Sequence, residues 1–303
     1  MIPVVLFAYS RPAHLSRALN ALKANQVPLI YAFSDGPRKP DNAGAVAEVR
    51  RLLHAVDWCR VVVCERNTNL GLGRSILAGV TEILKKHSAA IIIEDDIVCV
   101  PGSYNYLCAA LEHYKDDSRV MSVSAWNHSL ITPADIKEQP YFDGRPGCWG
   151  WGTWDRAWEG MQTDAKTLMQ NCLEQGIDVY KYGTDLVEMA KVELKWNIWA
   201  VRFAYLHILK KGLSLRPPWG MAEQIGFGTE GSNTLSSGRW VPQAAKPCPP
   251  LTGRWPEPLE HPDCALLHQN TSGKRPGLAM RQYYFLRRIT PRPIWRMLQR
   301  LKA

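Results

Sequence analysis

The stretch Ala89-Ala90-Ile91-Ile92-Ile93-Glu94-Asp95-Asp96 joins an unbroken apolar run to three consecutive carboxylates. An apolar run without polar alternation is typical of a strand that is buried on both faces, as in a parallel sheet. Adjacent acids repel one another and are costly to bury without a compensating charge, and a divalent cation held by carboxylate oxygens would supply it. The stretch therefore predicts a buried strand that ends at a metal site; a solvated acidic turn or a helix N-cap is the alternative.

Strand and helix patterns alternate on both sides of this stretch. Strands are predicted at 4–8, 28–33, 60–64, 89–93 and 120–124, and helices from Pro12 and at 43–55, 72–86 and 103–114. Strands separated by helices of this length form parallel βαβ units, so we predict an α/β fold with a mostly parallel sheet flanked by helices. Beyond Trp126 the sequence predicts one long helix at 184–211, an extended proline-rich segment at 241–263, and helices on both sides of a break within 280–301.

Charge and cysteine content narrow the class of protein. Nine basic residues and no acidic residue lie after Cys264, while the other 28 basic residues balance all 28 acidic ones. A neutral body argues against nucleic-acid binding. The eight cysteines are scattered and form no Cys-x-x-Cys pair, so we expect neither a zinc site nor a redox motif. The first strand is followed by no dinucleotide fingerprint, and no Walker loop is present, which disfavours nicotinamide and flavin cofactors.

Polar loops follow the predicted strands and therefore share one edge of the sheet. These loops are Tyr9-Ser10-Arg11-Pro12, Ser34-Asp35-Gly36, residues 65–74 and Glu94-Asp95-Asp96. Asp35 can accept hydrogen bonds from a base or ribose, and the glycine-containing loop before the helix at 72–86 offers N–H groups to a phosphate. Each loop alone is more typical of a turn or a helix cap. Together they predict a site for a nucleotide diphosphate.

These segments resemble GT-A glycosyltransferases, namely family 2-like bacterial sugar transferases and, in fold, N-acetylglucosaminyltransferase I, whose metal motif is also Glu-Asp-Asp. In the second half, the segments at 148–154, 199–203 and 224–228 resemble the Trp-Gly-Trp-Ala-Thr-Trp, Trp-Ala-Ile-Arg and Asn-Ile-Gly-Phe segments of such transferases. The resemblance implies the GT-A nucleotide-diphospho-sugar transferase fold. Residues 1–125 would bind the nucleotide-sugar, 126–240 would form the acceptor-binding and catalytic half of the same domain, and 241–303 would form an extension and a basic tail.

The activity that this resemblance implies is metal-dependent, inverting transfer of a hexosyl or N-acetylhexosaminyl group from a nucleotide-sugar, with a UDP-sugar favoured. The acceptor would be a hydroxyl of a glycan or lipid-linked molecule in surface polysaccharide or glycoconjugate synthesis. Asp96 would be the direct ligand of Mn²⁺ or Mg²⁺. The donor-binding residues would be Tyr9, Arg11, Asp35, Asn69, Gly71, Arg74, Glu94 and Asp95. Relatives often carry a histidine shortly after the Ile-Gly-Phe segment; residues 229–234 contain none, so waters and phosphate oxygens would complete the metal shell.

Three carboxylates are candidates for the general base that an inverting transfer requires. Glu223 and Glu230 lie in the segment that would cap the sugar, and Glu193 lies near Trp196. Glu223 ranks first as the base, and a solvated surface carboxylate is the alternative for each of the three. Indole faces suit sugar rings, so Trp149 and Trp151 are predicted at the acceptor site, with core packing as the alternative.

Two other functions stay open from the sequence. A sugar-1-phosphate nucleotidyltransferase shares the sheet, but it would want a basic glycine-rich loop after the first strand. A glycan-binding protein without turnover is the second alternative.

Because the N-terminal residues lack a basic n-region, we predict a cytoplasmic protein. Residues 274–303 alternate basic and apolar side chains, which predicts attachment to an anionic membrane surface at the inner face of the cytoplasmic membrane.

Overall fold

The computed structural model describes residues 1–226, 243–250 and 253–273. Its strands are β1 (Val4–Ala8), β2 (Leu29–Ser34), β3 (Arg60–Glu65), β4 (Ala89–Glu94), β5 (Ile97–Cys99), β6 (Val120–Ser124), β7 (Tyr141–Asp143), β8 (Trp151–Trp154), β9 (Leu213–Arg216) and β10 (Ala222–Gln224). Its helices are α1 (Pro12–Ala24), α2 (Ala43–His54), α3 (Leu72–Leu84), α4 (Ser103–His113), α5 (Asp155–Trp158), α6 (Ala165–Glu174), α7 (Thr184–Trp196), α8 (Ala200–Lys210) and α9 (Cys264–Ser272), with a 3₁₀ turn at Pro40–Asn42.

The central sheet of the described residues has eight strands in the order β3-β2-β1-β4-β8-β6-β9-β7. The first four strands of this order pair in parallel. Strand β8 runs antiparallel between β4 and β6, while β6 and β9 are parallel and β7 and β9 antiparallel. Strands β5 and β10 form a separate antiparallel ribbon. The predicted α/β class, with helices flanking a mainly parallel sheet, is confirmed.

The strand that ends in the carboxylates, β4, lies in the middle of the eight-stranded sheet, between the parallel β1 and the antiparallel β8. Residues 89–93 of β4 are all buried, as the unbroken apolar pattern predicted. Helix α1 begins at Pro12, whose fixed φ suits a first helical turn, and buries the predicted face of Leu15, Ala18, Leu19 and Leu22. Local patterns therefore predicted the architecture that carries the charged edge.

The predicted long helix at 184–211 is wrong, because the structure has two helices there. Asn197 ends α7 with φ 55° and ψ 47°, the left-handed conformation that stops a helix and that asparagine tolerates better than most residues. Helix α8 then begins at Ala200. The apolar pattern continues across this break, and so the pattern alone did not reveal it.

The second half buries a cluster of aromatic rings beneath the sheet. Trp151 at the start of β8 is fully buried, and its ring centroid lies 5.1 Å from that of Trp199 and 4.9 Å from that of Phe203. Gly150, with φ 67°, makes the turn that brings the chain into β8. Four tryptophans of this half, Trp151, Trp154, Trp158 and Trp199, are buried and therefore serve packing.

The described part of the C-terminal segment packs along the second half. Residues 243–250 and 253–263 contain no helix, as the proline-rich composition predicted. The Tyr114 hydroxyl donates to the Pro256 carbonyl at 2.6 Å, and the Trp255 ring packs edge-on against Tyr106 at 5.4 Å. The predicted helices within 280–301 lie outside the described residues. No helix among the described residues has the length and apolar character needed to cross a membrane.

Candidate functional site

The carboxylates at the end of β4 are held by a guanidinium from the start of α1. Arg11 Nη2 donates to Asp95 Oδ1 at 2.7 Å and to Asp96 Oδ2 at 2.9 Å. The backbone N–H of Tyr9 donates to the other oxygen of Asp95 at 3.1 Å. Because β1 and β4 are parallel neighbours, the loop after β1 lies next to the end of β4. Arg11 thus offsets the repulsion that the sequence analysis assigned to a metal ion alone.

A second layer of contacts on Asp96 comes from β10, 128 residues further along the chain. Gln224 in β10 donates from Nε2 to Asp96 Oδ2 at 3.0 Å, and its own Oε1 accepts from the N–H of Gly226 at 2.7 Å. A Cβ at Gly226 would lie 2.3 Å from Asp96 Oδ2 and 2.8 Å from Arg11 Nη1. Glycine is therefore required here, since the backbone of this segment covers the carboxylate at contact distance.

Glu94 differs from its two neighbours. Within the described residues its half-buried carboxylate accepts no hydrogen bond, whereas Asp95 and Asp96 are both bonded. Burial, and then the charges of Asp96 and Asp95, raise the pKa of Glu94 well above its ordinary value. Burial also raises the pKa of Asp95 to about 6, against the opposing charge of Arg11. Glu94 acts in turn on Cys148, since burial and this nearby carboxylate raise the pKa of the thiol to about 12.

The residues at this edge fit a divalent cation through a small number of protein ligands. Asp96 Oδ2 already accepts two hydrogen bonds, while its Oδ1 accepts none from the described residues, and Glu94 is unbonded. Hard oxygen donors of this kind suit Mg²⁺ and Mn²⁺. The described residues contain a group of three side chains of metal-binding type whose ligand atoms lie within 4.8 Å of one another. This group lies elsewhere, at Asp135, His261 and Asp263. A cation at Glu94 and Asp96 would therefore need further oxygens from water or a bound phosphate.

The predicted nucleotide contact Asp35 lies at the same edge, at the end of β2, which β1 separates from β4. Its side chain is buried, and Oδ2 accepts from the N–H groups of Leu70 at 3.0 Å and Gly71 at 2.9 Å. Arg66 Nη1 donates to Oδ1 at 3.2 Å and also bonds the Ser75 hydroxyl. The Asp35 carboxylate therefore organises the loop before α3, and a nucleotide would have to share its oxygens with these donors.

The other predicted donor-binding residues also have protein partners. The Tyr9 hydroxyl accepts from the N–H of Arg38 at 2.8 Å and donates to Asn42 Oδ1 at 3.1 Å. Asn69 Nδ2 donates to the Gly36 carbonyl at 2.9 Å, which closes the loop on the turn after β2. The N–H of Gly71 donates to Asp35 Oδ2, so a phosphate at this N–H would have to displace that carboxylate, and the donor contact of Gly71 stays a prediction. The N–H of Arg74 donates to Asn197 Oδ1 at 3.0 Å, and the predicted contact of its charged side chain with the donor stays a prediction.

Two predicted residues belong to the interior. Glu193 is buried and bonds Arg202 at 2.6 Å and the N–H of Ala165 at 3.2 Å, so it is a structural ion-pair partner and not a base. Trp151 is enclosed in the aromatic core and has no face for an acceptor. The sequence favoured an acceptor platform at Trp149 and Trp151 because the small Gly150 separates the two indoles. Trp151 is instead buried, because β8 inserts between β4 and β6.

The structure describes one of the two remaining base candidates, Glu223. In an extended strand, successive side chains point to opposite faces. Gln224 points towards Asp96, and so its neighbour Glu223 lies on the other face of the β5–β10 ribbon, opposite Val98. Glu230 lies outside the described residues and stays a prediction.

Trp149, next to Cys148, stays a prediction for the acceptor site. It is half-buried on the loop between β7 and β8, and its ring packs edge-on against Trp126 with centroids 4.8 Å apart. Beneath this pair, the buried Arg216 bonds Asp143 and donates to the Arg145 carbonyl at 2.7 Å. These buried charges hold the loop that carries Trp149 against the end of β6.

Sequence reasoning missed Arg66, Gln224 and Asn197 as residues that build this edge. Arg66 and Gln224 stand inside quoted motifs, so their motif membership was an available signal. Asn197 had none, because its contact to Arg74 spans 123 residues.

No protein-family model matches this sequence, and no curated protein matches it. Solved structures that resemble it include the mannosyltransferase PcManGT from Pyrobaculum calidifontis in complex with GDP-Man and Mn²⁺ (11% identity, TM-score 0.38, 58% of this chain and 46% of that chain covered). Others are HddC from Yersinia pseudotuberculosis complexed with GMP-PN (15%, 0.33, 52% and 78%) and mouse xyloside xylosyltransferase 1 in its apo form (12%, 0.32, 52% and 69%). The first of these is matched over less than half of its length.

Two of these solved structures are glycosyltransferases, the class of enzyme whose motifs the sequence resembles. At such identities and TM-scores we draw no argument about the activity of this chain from them. The fold class stands on the sheet order and strand directions of the chain itself.

Proposed function

We propose that this chain is a glycosyltransferase that uses a nucleoside diphosphate-sugar and a divalent cation. The observation that carries the proposal is the edge at the end of β4, where Glu94 and Asp96 Oδ1 accept no hydrogen bond from the described residues and lie beside Arg11. Open α/β sheets bind ligands at this edge, and a mixed set of carboxylates and a guanidinium suits a ligand made of a cation and a diphosphate.

The cation would be held by Asp96 Oδ1 and Glu94, and when bound it supplies positive charge to the departing diphosphate. Arg11 holds Asp95 and Asp96 in place, and its guanidinium would also meet a phosphate oxygen of the donor. The loop tied to Asp35 would receive the nucleoside, with a UDP-sugar favoured. Transfer of a hexosyl or N-acetylhexosaminyl group to a hydroxyl of a glycan or lipid-linked acceptor is the proposed reaction.

The acceptor side is proposed at Trp149 together with Trp126. Both rings are half-buried, so each keeps an accessible part, and an edge-on pair presents one indole face beside the edge of the other. Flat apolar surfaces with a polar rim suit the faces of sugar rings. Trp149 lies on the loop that also carries Cys148, which is close enough to Glu94 for the two groups to interact.

Calorimetry with UDP, GDP and Mn²⁺ tests the donor assignment directly. We expect nucleotide binding that needs Mn²⁺ and that falls at least about tenfold in Asp96→Asn, because the amide keeps the shape but loses the charge. Asp116→Asn, at an exposed carboxylate, is the matched control and should bind as the wild type does. A screen of nucleotide-sugars for donor hydrolysis then identifies the sugar. Full nucleotide affinity in Asp96→Asn would contradict the assignment of this edge.

Membrane attachment through residues 274–303 is part of the proposal and rests on the sequence alone, since these residues lie outside the described part. Removing residues 274–303 should abolish binding to vesicles rich in anionic lipid and should not change binding to neutral vesicles. Equal binding by the full chain and the shortened chain would discard this element.

A further inference from the structure

Asn197 connects the second half of the chain to the loop that opens α3. It ends α7 in the left-handed conformation, and its side chain reaches across to the first turn of α3. The Asn197 Oδ1 atom accepts from the N–H of Arg74 at 3.0 Å, and Nδ2 donates to the Leu70 carbonyl at 3.2 Å. The N–H of Arg74 is one of the first-turn donors that have no partner within the helix. One amide therefore satisfies a donor and an acceptor on either side of Gly71.

Two glycines in the loop make this approach possible. A Cβ at Gly71 would lie 2.6 Å from Asn197 Nδ2, and a Cβ at Gly73 would lie 2.2 Å from the Asn197 carbonyl oxygen and 2.7 Å from Oδ1. Gly71 also has φ 73°, which favours glycine. The fit of Asn197 accounts for both glycines, and the position that the sequence offered to a phosphate is occupied by the amide oxygen of Asn197.

The same loop holds the predicted nucleotide contact. Leu70 and Gly71 donate their N–H groups to Asp35 Oδ2, so the loop is bonded to Asp35 on one side and to Asn197 on the other. The side chain, and not the backbone conformation, makes the second connection. Lys211 ends α8 with a similar φ of 53°, yet its exposed side chain makes no such contact in the described structure.

We propose that Asn197 is a positioning residue of the donor site, which fixes the loop at 70–74 and through it the Asp35 carboxylate. The role of the loop in donor binding rests on the proposed function; the connection itself does not. Replacing Asn197 with glycine should leave the end of α7 intact, because glycine adopts the left-handed conformation freely. It should loosen the loop at 70–74, because the side-chain amide that bonds this loop is lost. An asparagine is neutral, so its effect is on the geometry of the site and not on its charge.

Hydrogen exchange of the ligand-free protein tests the connection. In Asn197→Gly, the amides of Leu70, Gly71 and Arg74 should exchange about tenfold faster, which corresponds to about 1.4 kcal/mol. Lys211→Gly is the matched control and should leave these amides unchanged. Asn197→Asp keeps an acceptor for Arg74 but turns a second acceptor towards the Leu70 carbonyl. In this variant the Arg74 amide should therefore exchange as slowly as in the wild type, and the amides of Leu70 and Gly71 should exchange faster.

Calorimetry with UDP and Mn²⁺ tests the consequence for the donor. Asn197→Gly should weaken UDP binding about tenfold, while its melting temperature stays with that of Lys211→Gly. Unchanged exchange in Asn197→Gly overturns the inference, and so does faster exchange with full UDP affinity. If the wild-type chain binds no UDP while the exchange result holds, the connection at Asn197 stands and the proposed donor is wrong.

Discussion

Replacing Arg11 with methionine removes the guanidinium that bridges Asp95 and Asp96 while keeping an unbranched apolar stem. The two carboxylate side chains are 5% and 8% exposed and that of Arg11 is 21% exposed. Removing one partner of a fully buried ion pair costs about 3–5 kcal/mol, because the other charge stays buried without compensation. Water reaches part of Arg11, so we expect a loss of about 2–4 kcal/mol in the free energy of unfolding at neutral pH.

The pH dependence of this loss has a definite sign. The folded pKa of Asp95 is about 6, above its ordinary value, so the folded state binds the proton more tightly than the unfolded state. Stability from this group is therefore fully present in acid and declines as the pH rises through about 6. Without the opposing charge of Arg11 the folded pKa rises further. The deficit of Arg11→Met relative to the wild type should consequently be largest at neutral pH and shrink in acid.

Urea denaturation at about pH 7.5 and about pH 4.5 measures both effects. Arg51→Met is the control, since Arg51 forms an ion pair with Glu48 in which both side chains are largely exposed, and no measurable change is expected there. Mn²⁺ should recover more stability in Arg11→Met than in the wild type, because a cation can replace the lost charge. Wild-type stability of Arg11→Met at neutral pH, or a deficit that does not change in acid, would refute the reasoning.

Four further substitutions separate the site from its support. Gly226→Ala should reduce UDP affinity at least about tenfold by calorimetry, because the new Cβ would collide with Asp96 Oδ2; equal affinity would show that the segment moves aside freely. Glu94→Gln should raise the urea midpoint at neutral pH and abolish donor hydrolysis, since it removes a carboxylate that is costly to ionise there; a lowered midpoint would contradict the cost. Trp151→Ala should lose about 3–5 kcal/mol of stability, whereas Trp149→Ala should keep its melting temperature and raise the KM for the acceptor; the reverse pattern would overturn the division between core and site.

The features that follow from local pattern were predictable from the sequence. An unbroken apolar run predicts the buried β4, and alternating strand and helix patterns predict parallel neighbours, so the loops after β1, β2 and β4 had to share an edge. That Arg11, Asp35 and Asp96 lie at one edge follows from the periodicity of the first half alone. The basis is geometric, because parallel strands end on the same side of the sheet.

The partners of these side chains were decided by the tertiary structure. Gln224 reaches Asp96 across 128 residues and Asn197 reaches Arg74 across 123, and contacts of such separation leave no periodicity in the sequence. The antiparallel insertion of β8 decided that Trp151 is core while Trp149, two residues away, is half-buried. The sequence by itself therefore determined that a charged edge exists and which strands carry it. Only the packing of distant segments decided which oxygens are bonded and which are left to bind a ligand, because the hydrogen bond that an oxygen accepts depends on the donors that folding brings near it.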